Sequence, residues 1–321
     1  MFGVVRGIGR GRTIHVARFA TKSKLLCATS TIKCLESSPP NTIVGLIGFS
    51  EDRNSSHASG AKDAPEKIRQ ALHNPATNTW SELGCDVHSN IFSYGDVSAA
   101  EPTQASMIEA VQPAITNMMK KKQYVPLILG GDHSISTATC AVVAAVVGPL
   151  KIVHFDAHPD LYHNFEDNRY SHASPMARLC EDNNTCKGLT SIGVRCFNGH
   201  QRQQAAKFGV NLIEARDFPG RGSDIREQLS QWILPTDNVY ITFDMDVLDP
   251  SCAPGVSHPE PGGLTTRQAV DAIHCIPGRI VGADIVEYNP SRDIQNLTAT
   301  TAAKILKEIA GKIMTQSEIP H

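Results

Sequence analysis

The sequence predicts an α/β fold, one domain built on a mostly parallel sheet of about eight strands. Three observations carry that expectation. Short apolar runs alternate with helical patterns from residue 42 to residue 314. Nothing between them marks an internal linker or a repeat. Several of the apolar runs end in charged residues, at Asp132-His133, Asp156, Asp244 and Glu287. In open parallel sheets a ligand sits outside the carboxyl ends of the strands. Four polar termini on one edge therefore suggest a single composite site.

Length and composition set the bounds. The chain has 321 residues and is 41% hydrophobic, enough for one large core. A formal charge of −2 argues against a nucleic-acid or membrane-surface protein. No apolar run is long enough to span a bilayer. Nine cysteines without a C-x-x-C pair fit a reducing interior, and neither a disulfide framework nor a zinc ribbon. Residues 1–35 hold Arg6, Arg10, Arg12, Arg18, Lys22, Lys24 and Lys33 and no acid. That Arg-rich, Ser/Thr-rich start reads as an organelle transit peptide, mitochondrial ahead of plastid, with a cytoplasmic tail as the alternative. The folded domain is then 36–321. Removing those seven charges from 30 Lys+Arg leaves 23 against 32 acids, a net of −9. An acidic domain suits a small cationic substrate.

The elements follow in order. After the linker at 37–40, strands are expected at 42–48, 91–94, 125–129, 151–155, 191–194, 210–213, 239–243 and 280–285. Helices are expected at 63–73, 102–122, 136–147, 174–180, 201–208, 224–233, 265–276 and 298–314. Pro65 falls in a first helical turn, where its missing N–H is harmless. The stretch 74–90 reads as irregular. The loop 248–263, with four prolines and three glycines, reads as a long excursion.

Six side chains at the strand ends are metal donors by type. Asp156, His158 and Asp160 alternate, so they share a face if their strand continues. His133 follows one neighbouring run, and Asp244 and Asp246 follow another. Any one of these aspartates alone reads as a helix cap or a turn former. Together they give two imidazoles and four carboxylates, and two divalent ions would balance the four negative charges. A mixed N/O set without thiolate suits Mn²⁺ or a similar borderline-hard ion. Two such ions, ~3.5–4 Å apart around one water, generate hydroxide at neutral pH.

The motifs G-G-D-H-S, F-D-A-H-P-D, S-H-A-S, F-D-M-D-V-L-D-P, A-P-G-V-S-H-P-E-P-G-G-L and G-A-D-I-V-E-Y-N-P resemble those of the ureohydrolases, the arginase/agmatinase family. The likeness runs from about residue 42 to residue 314, and its wording is closest to plant-type mitochondrial arginases. It implies an arginase-like fold, a single three-layer α/β/α domain. It implies two Mn²⁺ per subunit, one held by His133, Asp156, Asp160 and Asp244. The other would be held by Asp156, His158, Asp244 and Asp246, with Asp156 and Asp244 bridging. It implies His172 as a mobile proton shuttle and Glu287 as the carboxylate that holds a guanidinium. A homo-oligomer, trimer or hexamer, is implied as well.

The chemistry is coherent with that resemblance. A guanidinium carbon is a poor electrophile, so attack needs a full hydroxide. Glu287 can pair guanidinium N–H groups in a forked geometry. Asp160 can hydrogen-bond the hydroxide and orient it. The leaving amine needs a proton, and a histidine is poised to give one near neutral pH.

The sequence departs from the family where animal and bacterial arginases read the amino-acid head of the substrate. Cys196 stands at a position where they carry an acid, and a thiol cannot replace an acid that binds an ammonium. His163, Asn164 and Asn168 are the substrate contacts expected instead. The expected activity is hydrolysis of L-arginine to L-ornithine and urea. The alternatives are an agmatinase, or a hydrolase of another guanidino compound. A non-catalytic relative is disfavoured by the complete donor set. A single-zinc deacetylase is disfavoured by His133 and Asp246.

Overall fold

In the computed structural model, residues 44–122, 124–218 and 222–316 are described. The basic leader at 1–35 and the linker at 37–40 lie outside the described residues. Eight parallel strands form one sheet: β1 (Val44–Phe49), β2 (Ile91–Val97), β3 (Val125–Leu129), β4 (Leu150–Phe155), β5 (Cys186–Val194), β6 (Asn211–Glu214), β7 (Asn238–Asp244) and β8 (Arg279–Val286). Their spatial order is β2-β1-β3-β8-β7-β4-β5-β6. The chain lays down β2-β1-β3, skips across, lays down β4-β5-β6, and returns to fill the gap with β7 and β8.

Among the described residues, eight helices cover the two faces: α1 (Ala64–Leu72), α2 (Gln104–Thr116), α3 (Ile135–Val147), α4 (Pro175–Glu181), α5 (Gly199–Phe208), α6 (Gly222–Ser230), α7 (Thr266–Cys275) and α8 (Leu297–Gln316). One face belongs to a core that joins Ile68 of α1, Ile225 of α6, Ile273 of α7 and Ile305 of α8 with Val239, Ile241 and Phe243 of β7. The other belongs to a second core that joins Met107 of α2, Val143 of α3, Met176 of α4 and Ala205 of α5 with Ile128 and Tyr240. Successive residues of a strand point to opposite faces. That alternation puts Leu46 in the first core and its neighbour Ile47 in the second. Strands buried on both sides must be apolar throughout, and β7 (N-V-Y-I-T-F-D) is so between its polar ends, save for Thr242.

Every predicted element is present, most with ends shifted by one to three residues, and two differ more in extent. The strand expected at 191–194 begins at Cys186. Its first half, C-K-G-L-T, is interrupted by Lys187 and Gly188 and carries no clear alternation, yet it pairs with β4 along Leu150–Val153. The helix expected at 102–122 is α-helical only to Thr116, and a π-helical turn at Asn117–Lys122 completes it. No described helix is long and apolar enough to cross a membrane.

The strand order decides where function can sit. The four strands that end in charged residues, β3, β8, β7 and β4, are adjacent in the middle of the sheet. Being parallel, they bring their carboxyl ends to one edge.

Candidate active site

Asp156 follows the last residue of β4, and Asp244 is the last residue of β7. His133 lies four residues beyond β3, just before α3, and Glu287 follows β8 directly. All four are buried. The extended chain does not continue through Asp160, because β4 ends at Phe155. Asp160 reaches the site through a turn and holds a left-handed backbone, φ 49°. Glu287 does the same at φ 63°. Such a conformation costs a non-glycine residue about 1–3 kcal/mol and gathers at functional sites. A hydrogen bond from Glu287 N–H to the Gly131 carbonyl, 2.8 Å, holds that turn.

The six expected donors meet. His133 Nδ1 lies 3.1 Å from Asp156 Oδ2, 3.1 Å from Asp160 Oδ2 and 3.2 Å from Asp244 Oδ2. His158 Nδ1 lies 3.1 Å from Asp246 Oδ2 and 3.3 Å from Asp156 Oδ1. Asp156 thus belongs to both groups. Backbone N–H groups fix the carboxylates: His158 donates to Asp156 (2.6 Å), Ala157 to Asp246 (3.0 Å) and Asp246 to Asp244 (2.8 Å).

Two features fit this arrangement to divalent cations. His133 Nδ1 is fully buried amid three carboxylate oxygens and makes no well-aligned hydrogen bond to any of them. A nitrogen aimed between oxygens is positioned as a ligand. Among the described residues, no Lys or Arg forms an ion pair with the four carboxylates, and only imidazoles do. Burial alone would strip the charge from His133 and His158, but the surrounding carboxylates drive both imidazoles well above the ordinary histidine range. Burial and mutual repulsion push Asp244 and Asp246 up. The site demands positive charge, and without metal only protons can supply it.

Behind the donors sits a layer that sequence reasoning missed. His154 lies 2.8 Å from Asp156 Oδ2 through Nε2 and 3.0 Å from Ser191 Oγ through Nδ1. Its position crowds the first donor group, His133, Asp156 and Asp160. A carboxylate only accepts, so Nε2 must carry the proton and cannot also be a ligand. His154 therefore orients Asp156. His133 Nε2 meets Thr242 Oγ1 at 2.8 Å, and Thr242 meets Ser136 Oγ at 3.2 Å. Ser136 and Tyr240 hydroxyls both donate to the buried Asp284 Oδ2, at 2.9 and 2.8 Å. This chain fixes the ring of His133 so that Nδ1 faces the carboxylates. The signal was present for His154, two residues before Asp156 on the same face of the strand.

A cavity of about 370 Å³ opens over the donors. His158, Asp160, Asp244 and Asp246 form its floor, with His172 and Glu287 beside them. His172 Nδ1 is 3.0 Å from Glu287 Oε1, and its Nε2 is 2.8 Å from Ser56 Oγ. Burial opposes a charge on His172, but Glu287 outweighs it and raises the imidazole to about 9. Burial likewise opposes the charge on Glu287, and His172 together with the His133 N–H holds its carboxyl below the usual range. The outer wall is Tyr162, Phe165, Cys196, Phe197, Asn198 and Gln201, and the His258 ring lies 5.1 Å from that of His172, centroid to centroid, and tilted by 37°.

The three expected substrate contacts are not on this wall. His163 is exposed and turns to Arg169 and Glu181. Asn164 is exposed. Asn168 braces the loop, donating to Asn54 Oδ1 at 2.9 Å and accepting from Tyr170 N–H at 2.9 Å. Left-handed residues Glu166 and Asp167 turn this loop, and so it presents Tyr162 and Phe165 to the cavity instead. Cys196 does reach the wall, as does Asn198, which caps α5.

The sequence pattern that defines the arginase family matches residues 42–311. Arginase 1, mitochondrial, from Arabidopsis thaliana is 36% identical over 316 residues, covering 95% of this chain and 90% of that protein. The structure of arginase from Medicago truncatula superposes with a TM-score of 0.76 at 37% identity, over 85% of this chain and 88% of the other. That of the agmatine ureohydrolase of Thermoplasma volcanium gives 0.75 at 27% identity, over 90% and 96%.

Proposed function

Because the chain belongs to the arginase family, we propose that it hydrolyses L-arginine to L-ornithine and urea with two manganese ions per subunit. As a member it is a hydrolase of carbon–nitrogen bonds in linear amidines. The observation that carries the reading is the meeting of all six donors under one cavity that also holds His172 and Glu287.

His133, Asp156, Asp160 and Asp244 would hold one ion. Asp156, His158, Asp244 and Asp246 would hold the other. Manganese bound there supplies a hydroxide nucleophile at neutral pH. Glu287, kept ionised by its neighbours, receives the guanidinium through paired N–H groups. Glu287 is buried, which strengthens such a pair. His172, raised to about 9, is protonated at neutral pH and gives its proton to the leaving amine. The Ser56 hydroxyl at Nε2 orients the ring. Asp160 directs the attacking oxygen. The α-carboxylate of arginine would lie toward the start of α5, where Asn198 and the helix dipole favour an anion.

A second reading, agmatinase, is favoured by one feature. No acid is among the described residues that line the outer wall of the cavity, Glu260 reaching only the neighbourhood of Cys196, and agmatine has no α-ammonium that would need one. The test is urea release from arginine and from agmatine, side by side at equal manganese loading. A higher kcat/KM for arginine supports the first reading, and a higher one for agmatine makes the second correct. Urea from neither substrate removes both.

A further inference from the structure

Among the described residues, one further set of metal-type side chains brings its donor atoms together. His158, Cys196 and Glu260 each offer an atom, all within 4.8 Å of one another, and all three residues are half-buried. The set is mixed in kind: imidazole, thiol and carboxylate. His158 turns Nδ1 to Asp156 and Asp246. The ring's other nitrogen is left for the cavity wall, where the Cys196 sulfur stands close to the ring.

The backbone on either side is rigid. Arg195 and Cys196 both donate N–H to the Ala157 carbonyl, at 2.8 and 3.0 Å, which pins the thiol beside His158. The Arg195 guanidinium reaches the Glu260 carbonyl twice, through Nε at 3.0 Å and Nη2 at 2.6 Å. It also reaches the Asp246 carbonyl at 2.7 Å. One arginine therefore ties the end of β5, the end of β7 and the 248–263 loop, and it fixes both Cys196 and Glu260 relative to His158.

We propose that His158, Cys196 and Glu260 form a further metal site for Zn²⁺ or a like thiophilic ion, on the wall of the catalytic cavity and sharing His158 with the inner pair. The inner donors are nitrogen and oxygen only, whereas a thiolate selects zinc over manganese. Donors around one tetrahedral zinc lie roughly 3.3–3.8 Å apart, given bond lengths of ~2.0–2.3 Å. The observed spacing needs only small side-chain rotations to reach that. Binding releases two protons to solvent, one from the Cys196 thiol and one from the outward nitrogen of His158, whose ring would then bridge the two metals as an imidazolate. Water takes the fourth position. Cys196 and His158 both line the cavity, so an ion held there stands in the path of the substrate and draws on a shared ligand. Zinc therefore inhibits while manganese stays bound.

The test uses the full-length manganese-loaded protein and Cd²⁺ as a spectroscopic probe of thiolate ligation. Wild type should show a thiolate-to-cadmium charge-transfer band that saturates at one equivalent. C196S should lose it. E260Q, which leaves every thiol in place, should raise the half-saturating cadmium concentration on the order of 10-fold or more. Zinc should inhibit urea release by wild type and spare C196S. A band of equal size in C196S, no band in wild type, or unchanged cadmium affinity in E260Q each overturns the proposal. The cadmium measurement does not depend on turnover, so it stands or falls apart from the substrate assignment.

Discussion

Replacing Gly131 by alanine adds one methyl group and removes no functional atom, yet it should cost most of the activity. A Cβ on Gly131 would lie 1.7 Å from the Glu51 carbonyl oxygen, 2.6 Å from its carbon and 3.0 Å from its nitrogen. All three are backbone atoms, so no rotamer change relieves the clash. Moving from 1.7 Å to the 3.0 Å below which real Cβ contacts are not found requires a shift of at least 1.3 Å. Glu51 resists it, because its carboxylate is held by the Arg53 backbone N–H (3.0 Å) and Nε (2.8 Å). The displacement passes to the other side. The Gly131 carbonyl accepts from Glu287 N–H, and the Glu51 carbonyl accepts from Asp132 N–H, each at 2.8 Å. Glu287 and His133 therefore move. Overpacking of this kind costs about 1–3 kcal/mol of stability, and a ~1 Å misplacement of reacting groups costs on the order of 10²-fold in rate. The assay is kcat/KM for urea release, with Tm and manganese content measured on the same preparation. Wild-type kcat/KM with an unchanged Tm in G131A would refute the claim that this backbone contact positions the site.

Two further outcomes are expected. H172A should lower kcat by about 10²–10⁴-fold with both manganese ions retained, since His172 is not among the six donors. Because the imidazole is raised to about 9, wild-type activity should fall as pH rises through that value and the donor proton is lost. An unchanged alkaline limb in H172A would show that the proton comes from elsewhere. Residues 1–35, basic and free of acid, should direct import into mitochondria and be dispensable for folding. A tagged full-length protein that stays in the cytosol with its N-terminus intact contradicts this, and so does a truncated chain that fails to fold.

The sequence was most informative where periodicity and position coincide. Apolar runs locate strands, parallel strands share an edge, and so the residues at the ends of four runs could be assigned to one site. His133, Asp156, Asp244 and Glu287 follow from that logic alone. It did not extend to loop geometry. Asp160 arrives through a left-handed turn that no alternation predicts. The segment 162–171 turns His163 and Asn164 outward and Tyr162 and Phe165 inward, because its direction is set by Glu166 and Asp167. Ser56 and His258 were invisible for a different reason. Each comes from a remote loop, and only the closed fold brings them to His172. The buried run from Asp284 to His133 through Ser136 and Thr242 reads in sequence as ordinary strand and helix polarity.

The strand order has a consequence for the life of the chain before it is an enzyme. β7 and β8 occupy the middle of the sheet but come late in the sequence. While the chain emerges N-terminus first, β2-β1-β3 and β4-β5-β6 can each assemble. Each then carries an open inner edge, β3 on one side and β4 on the other, both rich in apolar residues. Unpaired strand edges of that kind are templates for pairing with other chains. They remain open until residue 286 is available to close the sheet. The end of β7 also delivers Asp244 and Asp246, so no nascent chain shorter than 246 residues carries the full set of six donors that would hold a stabilising metal. The interval between making β6 and seating β8 is thus the period of greatest exposure to aggregation, and it is there that a chaperone would be of most use to this protein.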